Sequence, residues 1–249
     1  MKLKINNLEF SYKSSKILQD ITFEAKKGEI VSISGKNGAG KSTLLKNIAK
    51  ILKPLKGTVY LNEKNLNKLK INEFAKTIGY VSQKNDITDL NTYDYLMLGR
   101  KPYFKFFPKK EDIDKVNEII EKLNLNELKN KQINEISGGE FQKIAIARAI
   151  VQESKILLLD EPTNNLDLKN QLEILNFIKK ITKEKELITI IIIHDINLSL
   201  KYSDKLIFMK NGIIKYQCKK NEINKNILKD IYEINIDICF YKDYPVIIY

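Results

Sequence analysis

With 249 residues, 43% hydrophobic and 30% charged, the chain has the composition of a soluble globular protein, with core enough for one large α/β domain or two small ones. No stretch approaches the roughly 20 apolar residues of a bilayer span, and the alternating start "MKLKINNLEF" is a strand pattern rather than a signal peptide, so a cytosolic chain is expected, with any membrane role exercised through a partner. The formal charge of +12 suits nucleic acid, an anionic membrane face or phosphorylated ligands; its lysines, however, are spread along the whole chain with no dense block, as drift toward Lys, Ile and Asn would leave them.

Cys218 and Cys239 are too few and too scattered for a disulfide framework or a metal site. No repeat, low-complexity stretch or Pro/Gly/Ser linker interrupts the chain, so residues 1–249 read as one domain. The first part is strand-rich: "LKINNLEFSY", "ILQDITFEAKKG" and "EIVSISG" carry β-branched alternation broken by Lys-Gly turns. "EIVSISG" runs into a glycine-rich loop and the helical pattern "KSTLLKNIAKIL", and a strand follows at "GTVYLN". From about residue 85 to 150 the texture turns helical, in "DIDKVNEIIEKLNL" and "EFQKIAIARAIV". Then "KILLLD", the helix "LKNQLEILNFIKKI" and "LITIIIIH" predict short apolar strands alternating with helices, hence a parallel sheet covered on both faces. The segment from about 222 to 249 adds a helix, "KNILKDIY", and a hairpin of "NIDICFY" and "YPVIIY".

The glycine-rich loop is Gly35-Lys36-Asn37-Gly38-Ala39-Gly40-Lys41-Ser42-Thr43, which matches G-x-x-x-x-G-K-[ST] between a strand and a helix. Such a loop points successive N–H groups at phosphate oxygens, and the helix N-terminus adds partial positive charge at the same place. Lys41 supplies the full charge for the β- and γ-phosphates, and Ser42 offers a hydroxyl to Mg²⁺. The apolar strand in "KILLLDEPT" delivers Asp160 and Glu161 at its C-terminal edge, where α/β sheets bind ligands. Asp160 is assigned to Mg²⁺ and Glu161 to polarising the attacking water; the alternative is that both acids cap the next helix. His194, the one histidine, ends the run "TIIIIH". Taken alone, it is read as the polar residue at which a buried strand meets solvent.

"ISGGE" places Ser137, Gly138 and Gly139 at the start of another helix, a second anion site in a domain whose phosphate loop is already committed. Its economical use is the γ-phosphate of a nucleotide held by another copy. At this point the chain resembles an ABC transporter ATP-binding subunit over essentially its full length. The motifs that carry the resemblance are "GKNGAGKST", "YVSQ", "ISGGE", "LLLDEPT", "NNLD" and "IIIHD", in that order. The resemblance implies a P-loop NTPase (RecA-like) core with an N-terminal antiparallel β subdomain and an inserted α-helical subdomain. It implies that Tyr12 stacks on adenine and that Gly35 to Thr43 cradle the phosphates. It further implies that Gln83 reaches Mg²⁺ and water and reports to a membrane partner, and that Asp167 crosses a dimer interface. His194 would contact the γ-phosphate and help hold the water. Its strand should then run beside "KILLLD", over the phosphates gripped by Lys41. Lys36, Ile136 and Glu140 stand where proline, leucine and glutamine are frequent, and none of the three is expected to touch a phosphate or metal role.

Within that family, residues 93–104, 160–175 and 194–214 and the closing hairpin resemble the ATPases of importers for iron chelates, haem and cobalamin. The resemblance implies an ATP-bound homodimer and permease subunits. It also implies, indirectly, an extracytoplasmic substrate-binding protein, a cytoplasmic position on the inner face of the membrane, and no nucleic acid. Molybdate or another metal complex stays open as cargo, as does a soluble ATPase acting on ribosomes or nucleic acid. In "GRKPYFKFFPKK" (99–110), Tyr103, Phe104, Phe106 and Phe107 either line a groove for the permease or pack the helical part while the lysines stay in water.

Overall fold

The computed structural model describes residues 1–249 except Ser14, residues 84–87, Asn165, Lys242, Asp243 and Tyr249. The hairpin turn expected at Lys242 and Asp243, and the start of the helical part expected near residue 85, therefore lie outside the described residues. In chain order, β1 (Lys2–Tyr12) and β2 (Ser15–Lys26) precede β3 (Ile30–Ser34), α1 (Lys41–Ile48), β4 (Lys56–Leu61) and β5 (Lys64–Asn65). Next come α2 (Ile71–Ala75), β6 (Ile78–Val81), α3 (Thr92–Met97), α4 (Lys110–Lys122) and α5 (Gly138–Val151). β7 (Ile156–Asp160), α6 (Leu168–Glu184), β8 (Ile188–Ile192), α7 (Ile196–Tyr202) and β9 (Lys205–Lys210) then alternate. β10 (Ile213–Lys219), α8 (Lys225–Tyr232), β11 (Asp237–Tyr241) and β12 (Tyr244–Ile248) follow.

Among the described residues the strands form three sheets, ordered β2-β1-β4-β5, β10-β9-β3-β8-β7-β6 and β11-β12. The first and last are antiparallel. The central sheet is parallel from β9 to β6, with β10 turned back on β9. Strands β3, β7 and β8 are buried at every position, as parallel strands covered on both faces must be. Their alternate residues serve two cores. Val31, Ile33, Leu158 and Ile190 share one with Leu44 and Ile48 of α1 and with Ile5 and Phe23 of the antiparallel sheet. Leu157, Leu159 and Ile191 share the other with Leu96, Ile144 and Ile178 of the helices. Each fully buried aliphatic of this kind contributes about 1.5–3 kcal/mol. A third cluster, including Ile196, Leu200, Phe208, Leu228 and Ile247, seats α8 and the hairpin on α7 and β9.

Two features depart from the sequence patterns. β6 and β9 extend the central sheet through "IGYV" and "LIFM", short runs that signal no element by length or periodicity. α5 begins at Gly138, ahead of its apolar run, because Ser137 caps it. The helical part is fastened by Arg100, 1% exposed. Its guanidinium donates to Asp112 at 2.9 Å, to the Val151 carbonyl at 2.8 Å and to Glu153 at 2.9 Å. It also stacks 3.9 Å from the Tyr103 ring centre. No helix among the described residues is long and apolar enough to cross a membrane.

Candidate functional site

The loop between β3 and α1 is shaped by two glycines. A Cβ on Gly35 would lie 2.2 Å from the Met209 carbonyl oxygen, so β9 can pass this close only to a glycine. Gly40, in the left-handed region at φ +98°, turns the loop into the first residue of α1, which is Lys41. The Lys41 ammonium is buried, 5% exposed, and donates to the carbonyls of Gly35 at 2.8 Å and Lys36 at 3.0 Å. Burial pulls its pKa down, against the opposing pull of Glu161 and Asp160. A positive charge held at this cost is poised for an anion.

β7 ends against that loop. Ser42 Oγ donates to Asp160 Oδ1 at 2.8 Å, and the Tyr80 hydroxyl to Oδ2 at 3.3 Å. Burial raises the pKa of Asp160, opposed chiefly by the Ser42 hydrogen bond. Burial also pushes the Tyr80 phenol up, reinforced by Asp160. Glu161 follows in the left-handed region at φ +52°, which is where sites store backbone strain. This turn presents its buried carboxylate to three side chains. His194 Nε2 lies 2.6 Å from Oε1, Gln83 Nε2 donates to Oε2 at 2.5 Å, and the Asn164 amide donates to the same oxygen. The helix after β7 is capped by Asp167 instead, so neither acid acts as a cap. β7 and β8 pair directly in parallel, which brings His194 beside Asp160 and Glu161.

Tyr12, Asn37, Gly38, Gly40, Lys41, Ser42, Thr43, Gln83, Glu161 and His194 line one cleft of about 570 Å³, with Ile17 and Asn164. Tyr12 stands at its mouth, 48% exposed and edge-on to Phe10. Asp160 lies beneath, against Ser42. Gly35, Lys36 and Ala39 shape the loop without lining the cleft: the Lys36 ammonium points away to Glu233, 2.5 Å distant. Ser137, Gly138, Gly139 and Asp167 are also outside it. Asp167 accepts from the N–H and side-chain amide of Asn170, both at 2.8 Å. A Cβ on Gly138 would meet nothing within 4 Å, so this surface is open.

Glu140 is engaged with Ser137 at the start of α5. Its carboxylate accepts from both the hydroxyl and the N–H of Ser137, because a carboxylate three residues into a helix reaches back to the cap. Asn164 and Tyr80 were not singled out in the sequence. "DEPTNN" placed Asn164 near Glu161, but only the fold brings Tyr80 to Asp160. Of the aromatics in 99–110, Tyr103 is packed, its hydroxyl donating to the Gln152 carbonyl at 2.9 Å, whereas Phe106 and Phe107 are each 84% exposed.

The described residues contain no cluster of three or more His, Cys, Asp or Glu able to hold a metal. What they do offer is a hydroxyl and a carboxylate, Ser42 and Asp160, beside the phosphate loop. Two hard oxygens fit Mg²⁺, which keeps waters and takes its other ligands from substrate phosphates.

A family model described as ABC transporter matches residues 18–164. The chain is 46% identical to an uncharacterized ABC transporter ATP-binding protein of Methanocaldococcus jannaschii, over 100% of this chain and 98% of that protein. It is 32% identical to an iron(3+)-hydroxamate import ATP-binding protein of Bacillus subtilis, over 95% of this chain and 89% of that one. Among solved structures it is similar to a dimeric ATP-binding cassette in a post-hydrolysis state with ADP and Pi. There the TM-score is 0.79 and the identity 29%, over 87% of this chain and 98% of that one.

Proposed function

The chain belongs to the ABC transporter family of ATP-binding, ATP-hydrolysing subunits, and from that membership we propose that it energises a membrane importer of an iron chelate, haem or cobalamin-like metal complex. For hydrolysis, the supporting observation is the Gln83–Glu161–His194 cluster facing Lys41 and Ser42 across one cleft. For import of a metal chelate, it is likeness along 95% of the chain to an iron(3+)-hydroxamate import protein.

In this reading residues 1–249 act as one nucleotide-binding domain, with its helical part at about 85–150 and its tail at about 222–249. Tyr12 stacks the base, and the backbone of residues 35–43 holds the phosphates. Lys41 exchanges its two carbonyl partners for phosphate oxygens, which relieves its burial penalty. Ser42 and Asp160 hold Mg²⁺, with Gln83 in reach of the same region; when bound, the ion neutralises charge on the phosphates. Glu161 Oε1 takes the hydrogen bond of the attacking water, and His194 Nε2 steadies the γ-phosphate. His194 Nε2 exchanges its contact with Glu161 Oε1 for the γ-phosphate, a local shift, and the rate gain is then positioning and charge placement. Ser137 and Gly138, exposed and outside the cleft, meet the γ-phosphate bound by a second copy together with the half-buried Gly139, and Asp167 lies at that dimer interface. Phe106 and Phe107 are available to permease subunits, which seat the dimer on the cytoplasmic face of the membrane and link it to an extracytoplasmic binding protein.

The test is co-purification with the permease encoded beside this chain, then ATPase assay of the complex with iron chelates, haem and cobalamin. Stimulation by one of these supports the proposal. No membrane partner, together with stimulation by RNA or ribosomes, overturns it.

A further inference from the structure

We propose that Glu140 is a positioning residue that engages Ser137 in the single subunit, so that a γ-phosphate bound by a second copy must displace the Glu140 carboxylate before the dimer closes. This rests on the reading that Ser137, Gly138 and Gly139 meet that phosphate across a homodimer.

The contact is two-way. Ser137 Oγ donates to Glu140 Oε2 at 2.5 Å and Ser137 N–H donates to the same oxygen at 3.1 Å, while Glu140 N–H donates back to Ser137 Oγ at 3.4 Å. A hydroxyl has one proton, so Ser137 cannot donate to this carboxylate and to a phosphate at once. The Ser137 hydrogen bond also holds the Glu140 carboxyl below the usual carboxylate range, and Lys131 adds attraction. At neutral pH the group is therefore anionic, and it offsets the partial positive charge at the N-terminus of the 14-residue α5. An arriving phosphate meets an occupied donor and a like charge. Both residues are exposed and the space above Gly138 is open, so the carboxylate has room to leave. Glu140 thus sets how much ATP is needed for closure while touching no nucleotide in its own subunit.

The test titrates ATP against dimer formation by sedimentation, in Glu161→Gln so that hydrolysis is blocked. Adding Glu140→Gln keeps a capping side chain but removes the charge, and should lower the ATP midpoint by about tenfold. In a Ser137→Ala background the same change should move the midpoint by clearly less than tenfold, because only the like charge is then left to remove. An unchanged or raised midpoint in Glu161→Gln/Glu140→Gln, while Glu161→Gln alone closes normally, overturns the proposal. So does a role confined to capping, seen as a lower melting temperature without nucleotide and an unmoved midpoint. A Glu161→Gln variant that stays monomeric at saturating ATP overturns the dimer reading and the proposal with it.

Discussion

His194 Nε2 lies 2.6 Å from Glu161 Oε1, across the directly paired strands β7 and β8. Each residue follows a wholly buried strand, so the contact is as rigid as the sheet that delivers it. Glu161 also accepts from Gln83 and Asn164, which leaves its carboxylate little rotational freedom. Glu161→Gln keeps that shape and weakens the acceptor. Turnover should fall by two to three orders of magnitude, about 3–4 kcal/mol, with ATP still bound. Steady-state phosphate release and nucleotide affinity measure the two halves, and normal turnover would remove Glu161 from the role given to it.

His194→Ala separates binding from chemistry. In the proposed reading the loop and Lys41 hold the phosphates, so the Kd for ATP should stay within about threefold while turnover drops about a hundredfold. Collapse of nucleotide binding would make His194 structural.

The sequence made this pair legible because both residues end apolar runs. Four isoleucines before His194, and the run Ile156 to Leu159 before Asp160, can only be buried strands, and parallel strands present their ends at one edge. The phosphate loop was readable for a similar reason: its glycines are demanded by backbone geometry, which is local. What stayed illegible was set by long-range contact. Lys36 meets Glu233, 197 positions away, and Tyr80 meets Asp160, 80 away; no spacing rule connects them. Nor does any spacing bring Arg100 to Asp112 at the start of α4 and to the Val151 carbonyl at the end of α5. Glu140 and Ser137, by contrast, are three residues apart, and their contact follows from the S-x-x-E spacing of "SGGE".

Asp160 gives a pH-dependent prediction. Burial raises its folded pKa above the ordinary aspartate value. The folded state then binds the proton more tightly than the unfolded state, and stability falls as pH rises through the window between the two values. At neutral pH the nucleotide-free protein therefore carries a penalty that Asp160→Asn removes. The variant should melt higher at pH 7, and the gain should vanish below the ordinary aspartate pKa. The extra stabilisation that Mg²⁺ adds to ATP should be lost as well. Differential scanning fluorimetry across pH, with and without Mg²⁺ and ATP, reads both; a variant less stable at pH 7 than at low pH, relative to the unaltered chain, reverses the sign and refutes the assignment.

Arg100 carries the largest stability prediction outside the cleft. Its guanidinium is enclosed and shares its donors among Asp112, the Val151 carbonyl and Glu153, so it ties the segment after α3 to the start of α4 and the end of α5. Burial opposes the charge on Asp112, but the Lys109 N–H and Arg100 together hold its carboxyl below the usual range. Removing Arg100 strips that anion, 3% exposed, of its guanidinium partner, leaving it the Lys109 N–H, and takes a donor from the Val151 carbonyl. Arg100→Ala should cost about 3–5 kcal/mol. Arg100→Lys should recover less than half of that, because a single ammonium cannot serve three acceptors in fixed directions or stack on Tyr103. Urea denaturation at matched m-values measures both. If Arg100→Ala cost under about 1 kcal/mol, the network would be incidental; if Arg100→Lys matched the unaltered chain, charge rather than fork geometry would be what fastens the helices.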